Sequence, residues 1–400
     1  MKSETYLEKI LKLRENDTVK VITGVRGVGK TTLLAMLERT LKAEGVPSWQ
    51  IIAMDFDAMQ NDEIRDFHQL YDSVYERIQG VPHAYLLLDE VHRVEGWEKA
   101  VNAFFVGAPV DVYVTGSHAG ILSEDFTKLM VGRYEEFRMF PQTFRTYLEA
   151  CPDAVEEDRD FIFPRYLKFG GLPVSVALAE KQELLPVMLQ GIYNTALMRD
   201  VVQRYAVRDP ALMDSMARFL AGTVGKPVSA KRLNDYLVSV GRKTTGYTMD
   251  NYLQMLTESN LFCRARRYDI RGKAHLNGSE KFYMADIGLS NMLRGYQDLE
   301  DGPLLENVVY LELRRRGFSV SVGKLGSMEV DFVAVNAEGR RIYYQVEPSL
   351  QDAGVRKKAL RPLKSIPDQY EKVILSMDRS DVRDFDGIRN LNIVDFLMGE

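Results

Sequence analysis

The chain has 400 residues, 46% of them hydrophobic and 27% charged, and carries a net charge of −5 at pH 7. That length suggests two or three domains, and the composition is that of an ordinary soluble globular protein, with no apolar run near the ~20 residues a bilayer span needs. The negative balance argues against indiscriminate coating of nucleic acid, and Cys151 and Cys263 lie far apart without metal-ligand spacing, so a reducing, cytoplasmic setting without disulfides, zinc or membrane partner is expected.

The first stretch, MKSETYLEKILKLREN, mixes charge into a helical period and predicts an amphipathic helix, not a secretory signal. From residue 19 to 139 short apolar or β-branched runs alternate with helical stretches. Strands are expected over 19–23, 50–55, 85–88, 111–115 and 134–139, and this spacing predicts a parallel sheet covered on both faces. The run YLLLDE is nearly all apolar until its acids, as a strand buried on both sides requires.

Between the first strand and the first covered helix lies VITGVRGVGKTTLL. Gly24, Gly29, Lys30 and Thr31 match G-x-x-x-x-G-K-[ST]. In that loop, glycines at 24, 27 and 29 let backbone amides converge on phosphate, Lys30 adds charge, Thr31 supplies a hydroxyl to Mg²⁺, and Thr32 opens a helix whose N-terminus favours anions. Asp89, at the carboxyl end of the buried strand, can hold the Mg²⁺ shell, and Glu90 can act as general base toward water. Thr115, Gly116 and Ser117 end the next strand, where a small hydroxyl could sense the terminal phosphate; Ser117 is preferred and Thr115 second. Arg133, one helix further on, is the best candidate to stabilise charge on the transferring phosphoryl group, ahead of Arg26 and Arg93. His92 reads as a surface or capping residue and Trp97 as a packing anchor.

The order of GVRGVGKTTLL, YLLLDEVHRVEGWEKAVN, VYVTGSHAGIL, LMVGRYEEFRMFPQTFRTYL and YLKFGGLPVSV resembles the AAA-type ATPases that carry a carboxyl-terminal DUF4143 domain. The resemblance implies an α/β AAA+ core with a central parallel sheet, ATP and Mg²⁺ as nucleotide and metal, and functional positions at Lys30, Asp89, Glu90 and Arg133. An arginine acting from a neighbour would imply a homo-oligomer.

Residues 1–150 are expected to form this core and 151–209 a helical linker or lid, broken by a turn at KFGGLP. Residues 210–300 read as a winged-helix unit: Ser229 caps one helix, Thr244 or Thr245 precedes a second, and LFCRARRYD and EKFYMAD supply wing strands. Arg242, Lys243, Arg264, Arg266 and Arg267 flank the second helix, a pattern suited to phosphate-backbone contact with DNA or, alternatively, to a solvated adaptor face.

Residues 301–400 place Glu306 on a helix, Asp331 on a strand and Gln345 and Glu347 on the next. That is the layout of a restriction-endonuclease-like, PD-(D/E)xK domain, whose acids hold Mg²⁺. Glu347 stands where the pattern wants lysine, so the fold is expected to be retained without activity; Lys324 is the nearest substitute. The function expected first is an ATP-hydrolysing switch that rearranges the winged-helix and nuclease-like units on DNA; the alternatives are a nucleotide-gated scaffold acting on protein partners without DNA and, after it, an ATP-regulated nuclease.

Overall fold

The computed structural model describes residues 6–151, 159–242, 244–297 and 301–399. They form two compact units, residues 1–139 with 258–260, and residues 140–257 with 261–400.

In the first unit β1 (Val19–Thr23), β2 (Ile51–Asp55), β3 (Ala84–Asp89), β4 (Val110–Gly116) and β5 (Tyr134–Arg138) pair in the order β2-β3-β4-β1-β5, every neighbour parallel. This sheet confirms the α/β core expected from the alternating runs. Helix α1 (Tyr6–Lys12) precedes β1, and α2 (Lys30–Ala43), α3 (Phe67–Ile78), α4 (Trp97–Gly107) and α5 (Glu124–Leu129) lie between the strands in sequence. One face of the sheet, with Val19, Val21, Leu86, Leu88, Val112 and Val114, packs on Leu70 and Val74 of α3, Val101 and Phe104 of α4 and Phe126 of α5. Trp97 is buried and stacks on Phe126 at 5.1 Å between ring centroids. Each such large side chain removed from water contributes about 1.5–3 kcal/mol. The α2 residues Leu33, Leu34, Leu37 and Leu41 are buried as well, outside this cluster and in contact with β3 and β4. Helix α3 starts where the Asp66 carboxylate accepts from the amides of His68 and Gln69 while Gln69 returns a bond to the Asp66 amide, a complete capping box.

At the amino-terminal ends of these strands Lys20 and Asp111 form an ion pair with side chains about 0% and 1% exposed, and the hydroxyl of Tyr113 also donates to Asp111. Nothing in the local pattern of VKVIT signals a charge pointing inward, because the partner lies 91 residues away.

The second unit opens with α6 (Phe144–Glu149), α7 (Arg159–Phe169), α8 (Pro173–Ala177) and α9 (Leu185–Thr195), the last continuing into a π-helical turn over Ala196–Gln203. Then come α10 (Pro210–Gly222), α11 (Ala230–Ser239), α12 (Gly246–Glu258), the antiparallel strands β6 (Phe262–Asp269) and β7 (Ala274–Met284), α13 (Ile287–Leu293) and α14 (Asp301–Arg315). Strands β8 (Ser319–Leu325), β9 (Met328–Val335) and β10 (Arg341–Val346), helix α15 (Ala353–Lys364), strands β11 (Glu371–Ser376) and β12 (Arg389–Asn392), and helix α16 (Ile393–Met398) complete it.

The mixed sheet has seven strands in the order β12-β11-β10-β9-β8-β6-β7. Here the structure departs from the expected division. The wing-like hairpin β6–β7 is not a separate module: β6 pairs in parallel with β8, Arg267 opposite Val322, so one sheet runs through the boundary expected at 300. Parallel pairing across some 50 residues leaves no local signature.

KFGGLP is a turn, as expected, and its reason lies elsewhere in the chain. Asp286 is buried and accepts from the amides of Gly171, Gly288 and Leu289, capping α13 while holding the turn. A side chain at Gly170 would place its Cβ 2.1 Å from the Asp286 carboxylate.

Candidate active site

Parallel strands end their carboxyl termini on one edge of the sheet, and the loops there collect the functional groups. The loop after β1 has Gly24, Gly27 and Gly29 all at positive φ, a conformation that L side chains rarely adopt. At Gly24 a Cβ would stand 2.6 Å from the carbonyl oxygen of Met139, so glycine is obligatory for close approach as well. Lys30, the first residue of α2, is buried; its ammonium donates to the Gly24 carbonyl at 3.0 Å and lies 3.3 Å from Glu90 Oε1.

Asp89 ends β3 and Glu90 follows it in a left-handed conformation, φ 51, which is strained backbone for a non-glycine residue and clusters at functional positions. The hydroxyl of Thr115 donates to Asp89 Oδ1 and accepts from the Glu90 amide at 2.9 Å. Thr115 is thereby committed to orienting the acid pair. The Ser117 amide donates to Glu90 Oε2 at 3.0 Å, while the Ser117 hydroxyl is buried with no hydrogen-bond partner. Asp89 Oδ2 is likewise buried without a hydrogen-bond partner. Thr31, exposed at the start of α2, is in hydrogen-bonding reach of Asp89, and Thr32 beside it is exposed.

Burial would raise the Glu90 carboxyl, but the charges of Lys30, His92 and Arg26 outweigh it and hold it down at about 2. Asp89, with no such cation, is pushed up by burial. His92 is no surface cap: its side chain is 7% exposed and its Nδ1 lies 3.3 Å from Glu90 Oε2. Its place two residues after the acid pair was the one available signal. Asn260, which groups with this unit, donates from Nδ2 to the Ser117 carbonyl at 3.0 Å; sequence reading had no means of finding it.

Arg133 is not at this edge. Its carbonyl accepts from the Val19 amide, at the start of β1, and Tyr134 pairs with Val19. A five-residue strand, roughly 16 Å at the usual rise, separates it from the phosphate loop. Within one chain Arg133 and the acid pair stand on opposite edges.

In the second unit Glu306, Asp331 and Gln345 are brought together, and Glu347, half-buried, is close enough to Glu306 to feel its charge. What fills their centre is a lysine that sequence reading missed. Lys281 of β7 lies 2.8 Å from Glu306, 2.9 Å from Glu329 and 3.9 Å from Asp331, with its side chain 4% exposed. The Tyr283 hydroxyl donates to Glu306, and Gln345 Nε2 and the Val346 amide donate to Asp331. Protein donors thus occupy Glu306 Oε1 and Asp331 Oδ2, while Gln345 Oε1 is buried without a hydrogen-bond partner. No group of metal-binding side chains with suitable geometry occurs among the described residues. Lys324 is not the lysine that reaches these acids.

Of the expected DNA contacts, Arg264 pairs with Glu280 and Arg242 with Asp209, Arg266 is exposed, and Arg267 is half-buried. Lys243 lies outside the described residues. Helix α12, the expected reading element, bears Asp250 and Glu258 and no basic side chain.

Residues 16–148 match the family described as an AAA domain, and residues 160–300 match a domain of unknown function, DUF8612. The second match corrects the DUF4143 expectation. That expectation rested on the order of five segments, of which YLKFGGLPVSV alone lies within the second match. An uncharacterized protein of Haemophilus influenzae is 33% identical over 397 residues, 99% of this chain and 98% of that protein. One of Methanocaldococcus jannaschii is 25% identical over 366 residues, 86% of this chain and 79% of that protein. Among solved structures, a Walker-type ATPase of Pyrococcus abyssi superposes with a TM-score of 0.52 at 16% identity, covering 72% of this chain and 94% of that one. That likeness speaks to the fold. No helix among the described residues is long and apolar enough to cross a membrane.

Proposed function

The chain belongs to the AAA-type P-loop ATPases, in one family with the Haemophilus influenzae protein it matches end to end, and from that premise we propose that it is a Mg²⁺-dependent ATP hydrolase whose nucleotide state switches its second unit toward a protein partner. The observation that carries the reading is the pair of orphaned buried atoms, Ser117 Oγ and Asp89 Oδ2, at the edge where Lys30 and Glu90 meet. A buried polar atom without a partner costs about 1–3 kcal/mol, and a ligand that supplies the partner recovers it.

The residues present fit ATP with Mg²⁺. The loop from Gly24 to Gly29, with its three glycines at positive φ, offers backbone amides to phosphate; Thr31 and Asp89 would hold the metal. Bound Mg²⁺ would neutralise charge on the phosphates. Lys30 would leave the Gly24 carbonyl and Glu90 for the phosphate chain. Glu90 would then lose one of the three cations that hold its carboxyl down, with His92 and Arg26 remaining beside it, and would take the proton of the attacking water as general base. Ser117 would present its hydroxyl to the terminal phosphate or the attacking water, with Thr115 keeping the acids in place.

DNA is the weaker occupant for the second unit. Arg242 and Arg264 are neutralised by carboxylates, and α12 offers acids where phosphates would lie. Exposed Arg266 is the feature that keeps DNA open. The carboxylate cluster around Lys281 supports a structural role and not a nuclease. Arg133, at the opposite edge of its own sheet, takes no part in this reading.

Phosphate release with Mg²⁺-ATP tests the reading, comparing wild type with Lys30→Ala and Glu90→Gln, each with and without duplex and single-stranded DNA. Loss of turnover in both variants and indifference to DNA are expected. Stimulation by DNA that Arg266→Glu removes would instead favour action on nucleic acid, and full turnover in Lys30→Ala would end the ATPase reading.

A further inference from the structure

Charge that develops on a transferring phosphoryl group calls for an arginine, and Arg133 lies at the wrong end of its own sheet. Two other arginines lie at the right end. Arg26 is the third residue of the phosphate loop, between Gly24 and Gly27, and its guanidinium lies 3.1 Å from Asp57 Oδ2. Arg93, three residues after Glu90, pairs through Nε with the other oxygen of Asp57. Arg26 is also near enough to Glu90 to help depress its carboxyl.

Asp57 is held firmly. It follows β2, its amide donates to Asp55 Oδ1 at 2.8 Å, and the neighbouring Phe56 amide donates to the Asp89 carbonyl at 3.1 Å. The ends of β2 and β3 are thus tied together, and Asp57 has a fixed place beside the acid pair. With side-chain exposures of 16% for Arg26 and 22% for Asp57, their pair is largely withdrawn from water yet not sealed off. A triphosphate entering the loop carries more negative charge than one carboxylate and competes for the same guanidinium.

We propose that Arg26 is a catalytic arginine acting within its own chain. Asp57 parks its guanidinium in the nucleotide-free state and yields it to the terminal phosphate when ATP binds. Arg26 then stabilises the charge moving onto the bridging oxygen as the bond to the terminal phosphorus breaks and water oxygen bonds to that phosphorus, its proton passing to Glu90. Arg93 stays on Asp57 and keeps that carboxylate compensated once Arg26 has left. The inference rests on the ATPase reading above and adds that hydrolysis needs no neighbour.

The test is steady-state turnover of the full chain, with ADP binding as a second readout, for Arg26→Ala, Arg26→Lys, Asp57→Asn, Arg133→Ala and Lys30→Ala. Arg26→Ala is expected to lower kcat at least about 100-fold while ADP affinity changes less than about threefold, because ADP lacks the phosphoryl group that Arg26 serves. Arg26→Lys should recover part of the loss. Asp57→Asn should keep turnover and lower the ATP concentration at half-saturation, since Arg26 starts uncommitted. Arg133→Ala should stay within about threefold of wild type, and specific activity should not change with protein concentration. Wild-type kcat in Arg26→Ala, with Lys30→Ala inactive, would overturn the inference and leave the ATPase reading standing. So would restoration of turnover on mixing inactive Arg133→Ala with Lys30→Ala chains. Turnover intact in Lys30→Ala would remove the ATPase reading itself.

Discussion

Both units set carboxylates beside a buried lysine, and the outcomes are opposite. In the first, Lys30 touches Glu90 and one carbonyl, while Asp89 Oδ2 and Ser117 Oγ a few residues away have no partner. In the second, Lys281 reaches three carboxylates, and Tyr283, Gln345 and the Val346 amide supply further donors. In the first cluster an oxygen of the acid pair itself, Asp89 Oδ2, is left open, whereas in the second the buried atom without a partner is the amide oxygen Gln345 Oε1 and not a carboxylate oxygen. Acidic residues in a familiar order do not separate the two cases, but the hydrogen-bond partners of their carboxylates do.

The sharpest way to break this comparison is to remove an acid from each cluster. Glu90→Gln should lower kcat by about 10²–10⁴-fold, the range of general-base catalysis, and Glu306→Gln should leave kcat unchanged; phosphate release measures both. A nuclease-like unit that governed turnover would show the reverse.

Next in size is the lysine of each unit. Lys281→Met removes the one cation from three carboxylates and should cost about 3–5 kcal/mol, as breaking a buried ion pair does; urea unfolding reads it. Lys30→Ala should also cost stability, but less, because His92 and Arg26 remain to compensate the Glu90 carboxylate.

The pH dependence should run in opposite directions. Glu90 is held at about 2, below its ordinary 4.5, so its contribution to stability is present above pH 4.5 and is lost as pH falls toward 2. Asp286 is pushed up to about 6 because burial outweighs the amides that face it. Its folded carboxyl therefore binds a proton more tightly than the unfolded one, and stability is lost as pH rises from about 3.8 through 6. In melting scans the gap between wild type and Glu90→Gln should shrink on acidification below 4.5, and that between wild type and Asp286→Asn should shrink between pH 4 and 6. The smallest effect expected is Asp66→Ala, about 1 kcal/mol for a lost helix cap, with turnover unchanged.

The first unit was the more legible for a physical reason. The phosphate loop is a local object: its glycines, lysine and threonine lie within eight residues, and its conformation follows from them. Four of the strands were legible as mostly buried apolar runs, while β5, with two exposed glutamates, was the weakest signal. Arg133 was legible as a residue and not as a place, because the parallel register that puts it beside Val19 is set by packing across the sheet. Lys281 was invisible on the same ground, its partner Glu306 being 25 residues further along another element. The pairing of β6 with β8 and the Asp286 cap over Gly171 depend on contacts that no single segment announces.

Gly24 has one more consequence. The atom that forbids it a side chain is the carbonyl of Met139, and Met139 is where the first unit ends and the chain runs on into the second. The nucleotide loop and the exit of the chain are separated by less than a methyl group, with no slack between them. The backbone at Gly24 is therefore packed directly on the last residue of the first unit, and Gly24→Ala has to displace either that carbonyl or the loop itself.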